Sequence, residues 1–247
     1  MPTSARSFGQ VAPYYDDLMK QVPYRMWGGY YLLLLANQDI HPHKILDICC
    51  GTGTMCELLT DEGFEMEGLD LSEGMVAEAR RKAKKKHLNI RYEVADAANF
   101  DMGTTYDAAF SFFDSLNNIV DPDRLQSAFR TAARHVVPGG SFIFDLNTAY
   151  AFEQSLFDQE NMRANAKLRY KWTGDWDPSS RIITVDMRFW YQDQSFREIH
   201  VQRAYGESEV REMLLNAGFG EIQVFNSYTL NPPRPKSDRL HFAARRL

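Results

Sequence analysis

From His43 onward, short apolar runs alternate with Gly-rich or acidic turns and helical stretches, a rhythm that commits the chain to a parallel sheet with crossover helices. The first strand is read at Lys44–Cys49, followed by Gly51-Thr-Gly53 and a helix from Thr54 to Asp61 that Gly63 ends as a left-handed cap. The second strand is Glu65–Asp70. Ser72 then caps a helix that starts acidic at Glu73 and turns basic from Arg80 to Lys86, the polarity that a helix dipole favours. Strands at Ile90–Val94, Tyr106–Phe112 and Ser141–Asp145 follow, the last after a turn at Pro138-Gly139-Gly140. A helix at Ser208–Ala217 and strands at Glu221–Ser227 and Asp238–Arg245 close the chain. The fold class expected is α/β, doubly wound and Rossmann-like.

Between Tyr150 and Gly206 the period drops to two: Ile183, Val185, Met187, Phe189 and Tyr191 share one face, and Thr184, Asp186, Arg188 and Trp190 the other. This is antiparallel patterning. With turns at Asp175–Ser180 and Gln192–Gln194, Lys167–Tyr205 is expected to be a three-stranded sheet inserted in the α/β chain. The whole, 1–247, is expected to be one domain, with N-terminal helices in 1–40 forming part of a cover and 150–206 an inserted sheet serving as lid or dimer interface. The chain would then be a monomer or homodimer.

Charge and cysteines narrow the setting. Lys plus Arg number 28 against 33 Asp plus Glu, a net −5 that opposes nucleic-acid binding, and the basic run at Arg80–Lys86 is accounted for by its helix end. Cys49, Cys50 and Cys56 sit too close together to staple a fold and have no distant pair for zinc; they read as reduced thiols. His41-Pro-His43 lacks a third ligand, so no metal is expected. The longest apolar run, Tyr30–Ala36, stops at Asn37, well short of a membrane span, and the N-terminus has no apolar leader; a cytoplasmic location is expected.

Two glycines at the end of the first strand let the backbone turn sharply and approach a ligand, while the following helix offers free N–H groups. The register Gly51-Thr-Gly53-Thr-Met-Cys56 ends in Cys where a dinucleotide fingerprint wants a third small residue, and Asp47 inside the strand would repel a pyrophosphate but welcome a cation. Asp70, at the end of the second strand, suits ribose hydroxyls. Asp96, after the third, can accept from an adenine amine while the Ala97 N–H donates to the ring, and Met75 can pad the adenine face. An adenosine with a cationic tail matches these three carboxylates, and S-adenosylmethionine is such a molecule.

The strings Ile45-Leu-Asp-Ile-Cys-Cys-Gly-Thr-Gly53, Gly68-Leu-Asp-Leu-Ser-Glu-Gly-Met75, Ala95-Asp-Ala97 and Val137-Pro-Gly-Gly140 closely resemble the class I S-adenosylmethionine-dependent methyltransferases. Tyr14–Met19, Tyr24–Trp27, Phe113–Asn117 and the inserted sheet are similar to a bacterial small-molecule branch that includes sugar N,N-dimethyltransferases. The resemblance implies a mostly parallel seven-stranded sheet with an antiparallel last strand. It also implies Asp47, Cys49, Gly51 and Gly53 around the methionine moiety, Asp70 on the ribose, Leu71 and Met75 beside adenine, and Asp96 and Ala97 on its edge. Phe112 and Phe113 would lie below the sulfonium, and Tyr15 and Trp27 would close over the carboxylate end; each of these four also suits a purely structural position. The family usually has Gly where Cys49 stands.

Methyl transfer from a sulfonium is an in-line displacement, so the protein chiefly aligns the nucleophile and takes its proton where needed. Phe113-Asp-Ser-Leu stands where adenine-N6 methyltransferases carry their Pro-Pro motif, and Asn231-Pro-Pro233 lies elsewhere. All three cysteines lie in or just after the cofactor loop, not where a cytosine-C5 nucleophile stands. Transfer to N or O of a small molecule is the reading that remains, with S-adenosylhomocysteine as product. Tyr15, Asp114 and His200 are the candidate proton acceptors or positioners, His200 sharing a strand face with Glu198 and Gln202, where a structurally satisfied histidine is also compatible. The alternatives are a non-catalytic S-adenosylmethionine-binding interaction module, a nicotinamide oxidoreductase and a nucleic-acid methyltransferase.

Overall fold

A computed structural model describes residues 8–247; the first seven residues of the expected N-terminal cover lie outside it. A short 3-10 turn (Ala12–Tyr14) leads into α1 (Tyr15–Leu18), and α2 spans Tyr24–Asn37. The α/β repeat follows as β1 (Lys44–Ile48), α3 (Thr54–Asp61), β2 (Glu65–Asp70), α4 (Glu73–Lys86), β3 (Arg91–Val94), β4 (Tyr106–Ser111), α5 (Pro122–His135) and β5 (Val136–Asn147). After α6 (Ala149–Glu153) come four strands, β6 (Gln159–Asn161), β7 (Leu168–Asp177), β8 (Ile182–Tyr191) and β9 (Gln194–Arg203), and the chain ends with α7 (Glu207–Ala217), β10 (Phe219–Asn226) and β11 (Arg239–Arg246).

The main sheet has seven strands in the order β10-β11-β5-β4-β1-β2-β3, with β11 antiparallel to both neighbours and the rest of the platform parallel. Order reverses beside β1, so the crevice outside the carboxyl ends of β1, β2 and β4 is where such a sheet receives a ligand. Helices cover both faces because the central strands are buried on both sides, as in Ile45, Leu46, Asp47 and Ile48 of β1. Beneath one face Phe129, Phe142, Phe144 and Phe242 pack together, the last two stacked at 5.0 Å. No helix among the described residues is long and apolar enough to cross a membrane.

Two details differ from expectation. Pro138-Gly139-Gly140 is not a turn ahead of the fifth strand but an irregularity inside β5. Pairing with β4 slips between Tyr106 opposite Val136 and Ala108 opposite Ser141, and a Cβ on Gly140 would meet the Asp107 carbonyl at 2.5 Å. The inserted sheet has four strands, not three, in the order β6-β7-β8-β9; the extra edge strand pairs Gln159–Asn161 with Tyr170–Trp172. The alternation in β8 does set its faces: Ile183, Val185, Met187 and Phe189 are buried, joining Val11, Ala12, Met75 and Phe152 in one cluster. Basic residues at the end of α4 turn back onto the protein, Lys82 to Asp16 and Lys86 to the buried Glu57.

Candidate functional site

A cavity of about 510 Å³ opens at the carboxyl ends of the central strands and runs beneath the inserted sheet. Its floor is made by strand-end turns that place several residues in the left-handed region. Gly51 (φ 53°) lies there, and so do three residues with side chains, Cys49 (φ 65°), Phe113 (φ 68°) and Asp114 (φ 49°). Such backbone costs on the order of 1–2 kcal/mol per non-glycine residue, and it concentrates where β1 and β4 meet the cavity. The two glycines of the loop have different duties. A Cβ on Gly53 would collide with the Tyr92 hydroxyl at 2.4 Å, so Gly53 is small for packing, whereas a Cβ on Gly51 would meet nothing within 4 Å. Gly51 therefore leaves open space over the floor.

Asp47 is 3% exposed and lines this floor, yet its one hydrogen-bond partner among the described residues is the Cys56 thiol, Sγ to Oδ2 at 3.3 Å. Burial, and then the charge of Asp70, push its carboxyl well above the usual carboxylate range. Asp70 is better served: its Oδ2 accepts from Gly51 N at 2.9 Å and its Oδ1 from Ser72 N at 2.9 Å, which ties the glycine loop to the start of α4. Desolvation nevertheless raises it. The thiols of Cys49, Cys50 and Cys56 are all pushed up by burial, so none is a ready thiolate nucleophile.

The opposite wall comes from the N-terminal segment and the inserted sheet. Glu198, buried, accepts from the backbone N–H groups of Phe8 (2.8 Å), Gln10 (3.0 Å) and Val11 (3.1 Å) and from His200 Nε2 (2.8 Å). Burial alone would raise its carboxyl, but the His200 bond and charge with the Phe8 and Val11 amides outweigh it and hold the group below its ordinary value. Because a carboxylate faces Nε2, that nitrogen carries a proton directed at Glu198. Gln202 donates from Nε2 to Asp114 Oδ2 at 2.8 Å, and Arg239 holds the other Asp114 oxygen at 2.8 Å while also pairing with the buried Asp145. Tyr15 lies between the walls. Burial, followed by Tyr24 and the charges of Asp114, Asp70 and Asp16, pushes its phenol far up, so it stays protonated.

Of the residues singled out from the sequence, Tyr15, Trp27, Asp47, Cys49, Gly51, Asp70, Met75, Phe112, Phe113, Asp114 and His200 line this one cavity. Gly53, Leu71, Asp96 and Ala97 do not line it. Asp96 caps Ala98 N at 2.9 Å and pairs with Arg124. Trp27 packs on Phe113 at 3.9 Å and stacks on Tyr228 at 5.0 Å. Sequence reasoning missed Arg239, Tyr170 and Trp172. Arg239 reaches the site only through pairing across 125 positions, whereas the aromatic alternation of Tyr170 and Trp172 was a signal available in the sequence. Among the described residues no group of three His, Cys, Asp or Glu forms a metal site.

The floor suits the cofactor expected from the sequence. A buried carboxylate without a charged partner, an open space over Gly51 and a carboxylate anchored by two amides correspond to an ammonium, a backbone-hugging tail and a ribose. Comparison with known proteins agrees. Residues 45–140 match the family described as "Methyltransferase domain". YqeM of Bacillus subtilis (strain 168), which carries a methyltransferase assignment, is 29% identical over 95% of each chain. The dTDP-3-amino-3,4,6-trideoxy-alpha-D-glucopyranose N,N-dimethyltransferase of Streptomyces venezuelae is 33% identical over 45% of this chain and 46% of that one. The solved structure of an S-adenosylmethionine-dependent methyltransferase from Clostridium acetobutylicum ATCC 824 superposes with a TM-score of 0.85 at 24% identity, covering 97% of this chain and 98% of the other.

Proposed function

We propose that this chain, a class I S-adenosylmethionine-dependent methyltransferase, transfers the methyl group to nitrogen or oxygen of a small molecule held between its α/β platform and its inserted sheet. One observation carries the reading: a single cavity runs from Asp47, Gly51 and Asp70 to His200 and Gln202, so cofactor and acceptor share one space. In that space Asp47 holds the cofactor's ammonium, Cys49 and Gly51 shape the methionine end while Gly53 behind them keeps the loop packed on Tyr92, and Asp70 takes the ribose hydroxyls. Met75 pads adenine from within the cavity, whereas Leu71, Asp96 and Ala97 lie outside its lining and are assigned to the adenine by the family resemblance alone. Phe112 and Phe113 lie below the sulfonium. Tyr15, kept protonated, donates to the carboxylate end, with Trp27 closing over it.

When bound, S-adenosylmethionine supplies a methyl carbon that accepts the acceptor's lone pair while the carbon–sulfur bonding pair returns to sulfur, leaving S-adenosylhomocysteine. The protein's part is alignment, exclusion of water and removal of one proton. In its neutral form His200 is the base this wall offers, its Nε2–H held by Glu198. Asp114 is a positioning residue, since Gln202 and Arg239 occupy both its oxygens. The inserted sheet acts as the lid.

The test is transfer of isotope-labelled methyl from S-adenosylmethionine into a protein-free small-molecule pool. Labelled product with wild type, and none with Asp70→Ala together with lost cofactor binding by calorimetry, is the expected outcome. Cofactor binding without product from any small-molecule pool would favour a non-catalytic module, and label entering only nucleic acid would overturn the acceptor class.

A further inference from the structure

The acceptor end of the cavity has a definite polarity. Gln202 is 6% exposed, and its amide orientation follows from its partner: Asp114 can only accept, so the NH₂ group faces Asp114 and the carbonyl oxygen is turned away from it. That Oε1 is buried without any hydrogen-bond partner, on a residue that lines the cavity. An unpaired buried acceptor is costly unless a ligand satisfies it. The neighbouring His200 has its Nε2 committed to Glu198, so Gln202 Oε1 is the polar atom of this strand face left for a ligand. The unpaired donor there is neutral, the indole N–H of Trp172.

Formal charge around the cavity points the same way. Its wall carries four carboxylates, Asp47, Asp70, Asp114 and Asp238, against Arg239 as the single Lys or Arg among the described residues. Arg239 is not free to meet an anion. It pairs with Asp114 at 2.8 Å and with the fully buried Asp145, two carboxylates for one guanidinium. A phosphate or carboxylate entering the acceptor end beyond the cofactor would be desolvated with no free Lys or Arg side chain to receive it.

Resting on the methyltransferase reading above, we infer that the acceptor is an uncharged or cationic small molecule whose reacting N–H or O–H group donates a hydrogen bond to Gln202 Oε1, and that anionic acceptors are excluded from this cavity. Gln202 is then a specificity-determining residue. The hydrogen bond it accepts aligns the acceptor atom, and the proton that leaves the acceptor passes to a neutral His200 imidazole or to water, before transfer where the acceptor is a cationic amine.

Three measurements decide this. Calorimetric titration of thymidine diphosphate into the S-adenosylhomocysteine-saturated protein should give no saturable heat; saturable binding would overturn the inference. In the labelled-methyl assay, the wild-type product should pass unretained through an anion exchanger at mildly alkaline pH, and a retained, anionic product would overturn the inference while leaving the methyltransferase reading intact. Absence of any labelled product counts against that reading instead, and the thymidine diphosphate titration still decides the charge question. Gln202→Leu should lower kcat/KM for the identified acceptor by about tenfold or more while the Kd for S-adenosylhomocysteine stays within about twofold. Equal loss of both would mean that Gln202 serves only the fold.

Discussion

A buried carboxylate whose one partner is a thiol is a poor arrangement for stability and a good one for a cationic ligand. Asp47 is such a group, and burial with the charge of Asp70 raises its carboxyl in the ligand-free protein. The raised value means that ionising Asp47 costs fold stability, a cost absent at acid pH and growing as pH rises toward the folded value. An ammonium beside it reverses the preference, so S-adenosylhomocysteine binding should release a proton below that value and weaken by up to about tenfold per pH unit as pH falls. Calorimetry in buffers of different ionisation heat checks this. Asp47→Asn should flatten the pH dependence, weaken binding and raise the ligand-free Tm; a Tm that falls would contradict the account. At this scale the sequence was partly legible. Asp47, in the first strand just ahead of the glycines, and Asp70, at the end of the second strand beyond them, are identified by their spacing about that loop. Asp96 likewise follows a strand, but the structure gives it Arg124, a partner on α5 that no local pattern announces.

At the scale of elements, the N-terminal segment and β9 are fastened by one side chain. Glu198 gathers three backbone N–H groups and His200, so its removal leaves several buried groups unpaired at once. Glu198→Ala should cost about 3 kcal/mol or more and should speed hydrogen exchange at the amides of Phe8, Gln10 and Val11 ahead of the main sheet. Unchanged protection there would contradict the anchoring role. Since the folded carboxyl lies below its ordinary value, its stabilisation is complete above the usual carboxylate range and is lost as pH falls through the folded value. The period-two pattern revealed β8 and the shared face of Glu198, His200 and Gln202, but not that the N-terminal segment would supply their partners. The edge strand β6 was hidden for a physical reason: Gln159–Asn161 is polar and mostly exposed and carries no apolar alternation. The slip inside β5 was read as a turn because Pro-Gly-Gly signals one, while pairing with β4 on both sides keeps the segment in the sheet.

For the whole molecule, the net charge of −5 is unevenly placed. Basic side chains of α4 pair with Asp16 and Glu57, while the cavity keeps four carboxylates against one doubly paired arginine. The platform supplies the cofactor floor, and the insertion with the N-terminal segment supplies a roof of different design, aromatic and carrying the unpaired Gln202 oxygen. The parallel order and the glycine loop made the floor legible from sequence, because every such sheet receives its ligand at the same strand ends. The roof depends on side chains brought together across nearly the full chain, and only the structure joins them. The most direct test of that joint site is a crystal structure with S-adenosylhomocysteine. It should place the amino group on Asp47, the ribose on Asp70 and the sulfur facing Phe113 toward His200 and Gln202; a sulfur directed away from the inserted sheet, or a ribose that does not touch Asp70, would contradict it.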